Sequence, residues 1–276
     1  MGGPESGGQG RPEARADGYG SLPAVPYPLP PSPEPSTPAA VPARTHRWGL
    51  GAFVLVELVF VGVTALLGNV LLAPALAAGT PPGGLLAVLL AVPTVCAAGT
   101  ALLITRVRGN GPRRDLGLVW APQDLLLGLA FGLGGLFLTA IAGAVYLRLV
   151  GPEASSAVGD LFNGIRAGPA VAVAVFVIVV LLVPVCEEIV YRGLLWGAVE
   201  RLGAGRWIAF GVTTVMFALA HFELTRTPLL LIIGIPIGLA RAVTGRLLAG
   251  IVAHQVNNLL PGLALMLGLL GVIPLH

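Results

Sequence analysis

From residue 48 onward the chain alternates long apolar runs with short polar segments. The runs cover about 48–72, 84–105, 125–150, 169–200, 207–222, 227–244 and 247–260, with a last apolar piece reaching residue 273. A helix needs about 20 mostly apolar residues to cross a bilayer, so each run reads as a membrane span. Helices satisfy their own backbone groups in lipid, and the pattern predicts an all-α, polytopic membrane helical bundle of about seven to eight transmembrane helices. Pro184 predicts a kink in the fourth span, because it removes a backbone hydrogen bond. Pro261-Gly262 predicts the end of the seventh, leaving the last piece as a short span or a re-entrant helix. Asp124 is placed to cap the third span.

Residues 1–45 contain no sustained apolar run and are rich in Gly, Pro, Ser and Glu. Such a segment cannot bury enough surface to offset chain entropy, so it reads as a disordered cytosolic tail without a cleavable signal peptide. Residues 46–168 then form N-terminal transmembrane helices, and 169–273 a helical core that holds most of the unusual polar groups. Composition agrees with lipid as the solvent: 55% of residues are hydrophobic and only 11% charged, with a mean hydropathy of +0.88. The pI near 9.3 does not point to nucleic acid, because the charges are few and scattered. Every basic residue other than His is Arg. With a cytosolic N-terminus, Arg44, Arg47, Arg106, Arg108, Arg113, Arg114, Arg201, Arg206, Arg241 and Arg246 fall inside; Arg148, Arg166 and Arg226 fall outside. That bias sets the orientation in an integral membrane protein, read here as one of a bacterial cell membrane. Cys96 and Cys186 lie in apolar runs and read as packing residues, too few for a disulfide framework or a four-ligand zinc site.

Charged groups at membrane depth cost at least about 2.5–3.5 kcal/mol each, so each needs a reason. The costly residues are Glu57, Glu187, Glu188, Arg192, His221 and His254, with Asn257 and Asn258 as neutral companions. Glu188 and Arg192 are four apart and can pair along one helix face. Glu187 lies about 100° away around the helix, and that pairing leaves it free. Phe217 and His221 share a face of the fifth span; His254 and Asn258 share a face of the seventh. Counted from the arginine-bearing ends at 1.5 Å per residue, Glu187 and His221 lie roughly 20 Å deep and His254 about 12 Å. The three helices can therefore place these groups in one site. Asn257, about 100° from Asn258, faces another helix. Glu57 has no partner by spacing and reads as a hydrogen-bonded structural group.

Three motifs emerge in order: Glu187-Glu188-Ile-Val-Tyr-Arg192, Phe217-Ala-Leu-Ala-His221 and His254-Gln-Val-Asn-Asn258. Together, in separate apolar helices, they resemble the CAAX protease and bacteriocin-processing family of intramembrane endopeptidases. The resemblance covers roughly 170–262 and implies hydrolysis of a peptide bond in a membrane-associated peptide or protein, with the bilayer as the other partner. It implies catalytic roles for Glu187, His221, His254 and Asn258, supported by Glu188, Arg192 and Phe217. Water attack needs a base, and a carboxylate taken out of water gains affinity for a proton. In the glutamic version Glu187 and His221 polarise the water, while His254 and Asn258 stabilise the oxyanion. In the metal version a zinc held by Glu187, His221 and His254 activates the water. The metal-free version is favoured, because Asn is a poor zinc ligand and suits an oxyanion hole. Two other classes compete: a transporter relaying protons through Glu187 and His221, and an idle membrane scaffold or immunity protein. No inverted repeat supports the first, and the intact motifs argue against the second.

Overall fold

The computed structural model describes Gly2 and residues 46–79, 81–151 and 156–274. The reading of 1–45 as a disordered tail lies outside the described residues, apart from Gly2. Among the described residues every regular element is helical. We number them α1 (Leu50–Ala77), α2 (Gly83–Arg108), α3 (Pro112–Asp115), α4 (Pro122–Val150), α5 (Ala157–Phe162), α6 (Pro169–Arg201), α7 (Arg206–Leu219), α8 (Thr227–Thr244) and α9 (Leu247–Leu269). Of these, α1, α2, α4, α6 and α8 are long and apolar enough to cross a membrane. Helix α7 is apolar but short, and α9 is long but carries His254, Gln255, Asn257 and Asn258. Large apolar side chains such as Leu126 and Phe137 stay exposed on the outer faces, as expected where lipid is the neighbour.

Glycine sets the closest approach in the bundle. Gly128, Gly132 and Gly135 line one buried face of α4. A Cβ at Gly128 would stand 2.6 Å from Val252 Cβ, and one at Gly132 would stand 2.6 Å from Val256 Cβ. Helix α4 therefore lies backbone-close against α9, as stripes of small residues allow in membranes. Gly135 meets Pro236 of α8 and Asn257 of α9. Asn257 accepts a hydrogen bond from Thr139 Oγ1 of α4 at 3.2 Å, so it does face another helix. Helices α6, α7, α8 and α9 pack around one another, with α1 against the arginine-bearing half of α6 and α2 along most of its length. The main core cluster sits there, around Phe53, Tyr191, Leu194, Trp196 and Phe217. A second cluster fills the opposite end, where Leu86, Phe162, Val175 and Leu269 meet.

Three expectations need correction. Pro261 does not end a helix: α9 runs on through it to Leu269. A proline removes one hydrogen bond, and a helix in a packed bundle survives that loss when its neighbours hold it. Asp124 caps nothing, since α4 begins with Ala121 as its N-cap. Its carboxylate instead takes a two-pronged contact from Arg246 just before α9, at 2.7 Å from Nε and 2.6 Å from Nη2. That hydrogen bond raises the guanidinium pKa above its ordinary value and ties α4 to the start of α9. His221 lies beyond the end of α7 at Leu219, in the turn that follows, rather than within a span. Where Pro184 predicts a kink, the helix departs from regular α geometry: a wider π-turn over Ile178–Leu182 lies just before it.

Candidate active site

Two π-turns in α6 frame the acidic pair: Ile178–Leu182 before it and Ile189–Leu195 after it. In the first, the N–H of Val183 reaches back five residues to the oxygen of Ile178. In that register Pro184 would serve Val179, but proline has no N–H to give. The gap is filled from α9: Asn258 Nδ2 donates to Val179 O at 3.1 Å. Gln255, on the same helix, donates to Leu181 O at 3.3 Å. The two amides thus hold α9 to the stretch of α6 that leads into Glu187. Gly262 lets the helices approach, since any side chain there would collide with Val180.

Glu188 and Arg192 form the ion pair that their spacing predicts, at 2.9 Å and with both side chains fully buried. Arg192 also lies over the Phe217 ring, 4.4 Å from its centroid, and its Nη2 donates to Gly234 O at 3.4 Å. The sequence did not reveal that Glu188 has a second partner. Its Oε1 lies 3.1 Å from His254 Nδ1, so one carboxylate oxygen serves both Arg192 and His254. Gly250, one turn before His254, makes room for this: a Cβ there would stand 2.9 Å from Glu188 Oε2.

His254 stands between the two glutamates. Its Nδ1 meets Glu188, and its Nε2 faces Glu187 Oε2 at 3.6 Å. The latter distance is too long for a hydrogen bond. Since a carboxylate can only accept, Glu188 fixes the Nδ1–H tautomer of His254 and leaves Nε2 toward Glu187. Glu187 itself is partly exposed and has no arginine within ion-pair reach among the described residues.

Phe217 is the wall between the two histidines. His221 meets its ring at 4.8 Å and His254 at 5.4 Å, both edge to face. His221 Nδ1 lies 2.8 Å from Phe217 O, which fixes the ring and turns its other nitrogen away from the helix end. The structure therefore gathers Glu187, Glu188, Arg192, Phe217 and His254 tightly, and holds His221 at the far side of Phe217. Asn258 belongs to the same helix–helix seam but bonds to Val179. Among the described residues no three His, Cys, Asp or Glu side chains come together closely enough to hold a metal ion, so the Glu187, His221 and His254 set is not assembled as a zinc site.

Tyr191 was missed in the sequence. Buried in the second π-turn, it packs edge to face on Phe217 at 5.6 Å and hydrogen-bonds Glu57 of α1. Its position four residues after Glu187 was the available signal. Glu57, whose hydrogen-bonded role had no visible partner, pairs with a residue far along the chain. It also lies on an apolar cleft of about 380 Å³ between α1 and α7, lined by Phe53, Leu58, Met216 and Phe222.

Residues 169–260 match the family model described as Type II CAAX prenyl endopeptidase Rce1-like. No curated protein and no solved structure matches the chain significantly. The matched stretch runs from the start of α6 through most of α9 and contains all three motifs.

Proposed function

We propose that the chain, whose residues 169–260 match the Rce1-like type II CAAX prenyl endopeptidase model, cleaves a peptide bond in a membrane-associated peptide or protein by a metal-free mechanism. The observation that carries this reading is the placement of His254 between Glu187 and Glu188, at 3.6 and 3.1 Å. Glu187 is the base: it takes a proton from a water molecule as the water's oxygen attacks the scissile carbonyl. His221, on the open side of Phe217, helps to polarise that water. His254, protonated, offers its Nε2–H to the oxygen that gains charge in the tetrahedral intermediate. When the intermediate collapses, the C–N bond breaks, and the proton held on Glu187 passes to the leaving amine.

Glu188 and Arg192 do not touch the reacting atoms in this scheme. They hold the Nδ1–H of His254 and fix the orientation of its ring, as a carboxylate orients a catalytic imidazole elsewhere. Asn258 supports the oxyanion side in two ways: one amide hydrogen holds Val179, and the other remains for the intermediate. The zinc version has less support, because its three ligands are not gathered. The substrate class follows from depth alone: a site flanked by apolar helices is reached by chains that already lie in or on the bilayer.

Quantitative comparison of membrane peptides in cells carrying the wild-type chain and Glu187→Ala tests the proposal. Full-length substrates should accumulate in the variant and their cleaved products should disappear. Identical peptide profiles, at equal protein abundance, would defeat it. Retained cleavage by purified wild type after prolonged treatment with a zinc chelator is the matching outcome for the metal-free version; complete and zinc-reversible loss would favour the metal.

A further inference from the structure

A polar cleft of about 430 Å³ lies at the arginine-bearing end of the bundle, and Glu187, Glu188, His221 and His254 are not among its lining residues. Its walls come from the end of α6, the start of α7, the end of α8 and the segment around α3. Arg241, Arg114 and Arg206 line it, with Asp115 and Glu200 as its only acids. Arg241 is the telling member. It sits in the last turn of α8 with 7% of its surface exposed. Among the described residues no carboxylate lies within ion-pair distance of it.

The groups that touch Arg241 hold its guanidinium in place, and none of them is a carboxylate within ion-pair reach. Nη1 donates to the Gly245 carbonyl, and Gly117 packs so close that a side chain there would collide with the same nitrogen. Trp196 presents its ring 5.6 Å from the guanidinium carbon, and Nε has no partner. The two acids of the cleft hydrogen-bond other groups, and Glu200 acts on Arg241 only from beyond ion-pair distance. Glu200 accepts from Trp196 Nε1 at 2.8 Å. Asp115 accepts from Trp48 Nε1 at 3.3 Å, and from the backbone and side-chain nitrogens of Asn110 at 2.8 and 3.0 Å. A buried cation without a direct ion-pair partner is costly, and arginine's fork matches the oxygens of a phosphate. The cleft lies where the helices end, the depth at which phospholipid phosphates sit, and its arginines outnumber its acids.

We propose that this cleft binds a phosphate-bearing anion, with Arg241 as the buried contact and Arg114 and Arg206 on the rim. An anionic lipid headgroup and free phosphate present the same oxygens; the binding experiment separates them. Purified full-length protein in neutral detergent is melted with added phosphatidylglycerol or phosphatidylcholine, and separately with inorganic phosphate or chloride at equal ionic strength. Retained lipid is counted by native mass spectrometry. Phosphatidylglycerol should raise Tm more than phosphatidylcholine and remain bound. If inorganic phosphate alone stabilises, the free anion is the ligand. The double variant Arg114→Gln/Arg206→Gln, at exposed positions that fold does not need, should weaken the effect roughly tenfold. Arg106→Gln/Arg108→Gln, an equal charge loss outside the cleft, should leave it unchanged. The proposal fails if neither anion stabilises beyond its control, if the rim variant binds as wild type does, or if the two double variants lose binding equally.

Discussion

Replacing Glu188 by Gln removes one charge from a pair that has no access to solvent. Arg192 is fully buried, its Nη1 bonds Glu188 at 2.9 Å, and its Nε has no partner at all. The remaining help is the Phe217 face at 4.4 Å and a long contact to Gly234 O at 3.4 Å. Breaking a buried ion pair by removing one partner typically costs about 3–5 kcal/mol, because the other charge is left uncompensated. For a chain of this size each kcal/mol moves Tm by about 2–4 °C, so the variant should melt roughly 6–20 °C lower. Glu188 also holds His254 Nδ1 at 3.1 Å. A glutamine there can present its N–H instead of its oxygen, which would release the imidazole from its fixed tautomer. Turnover should therefore fall as well, even in the folded fraction at low temperature. The assay is thermal unfolding in detergent, followed by activity per folded molecule. Arg192→Gln is the paired control, since it leaves Glu188 with His254 as a partner and should cost less. A Glu188→Gln protein that melts within 2 °C of wild type would refute the assignment of an essential buried pair.

Other outcomes follow from the same geometry. Gly132→Leu should destabilise the bundle by about 1–3 kcal/mol or more, because its Cβ would already stand 2.6 Å from Val256 Cβ; an unchanged melting curve would show that α4 and α9 are not in close contact. Tyr191→Phe should cost about 1–3 kcal/mol by leaving Glu57 without its hydroxyl donor, and Glu57→Gln should cost less; equal and negligible effects in unfolding experiments would dissolve that link. On a background with Cys96 and Cys186 replaced, a cysteine at position 110 should label only from the cytosolic side, and labelling from outside would invert the topology.

Much of this was legible from the sequence, and the reasons differ by feature. Apolar runs mark α1, α2, α4, α6 and α8 because lipid demands length and hydropathy, both of which are local properties. The Glu188–Arg192 pair was visible because four-residue spacing is also local. The bond from Glu188 to His254, the link from Glu57 to Tyr191 and the contact from Asn258 to Val179 join distant parts of the chain, and no spacing rule reaches across helices. Pro261 misled because a proline's effect depends on what packs around it. His221 moved from a helix to a turn because helix ends are set by caps and neighbours more than by composition. Asp124 looked like a cap by position alone, while its partner Arg246 lies more than a hundred residues away.

The most direct test of the account is Glu187→Gln in purified protein, read for both activity and stability. Glu187 is partly exposed and faces His254 Nε2 at 3.6 Å without a salt-bridging arginine. Glutamine keeps its shape and its hydrogen bonding but cannot take a proton from water. The account predicts that peptide cleavage is abolished while Tm stays within about 2–4 °C of wild type, the shift that 1 kcal/mol would give. Retained cleavage by a folded Glu187→Gln protein would contradict it.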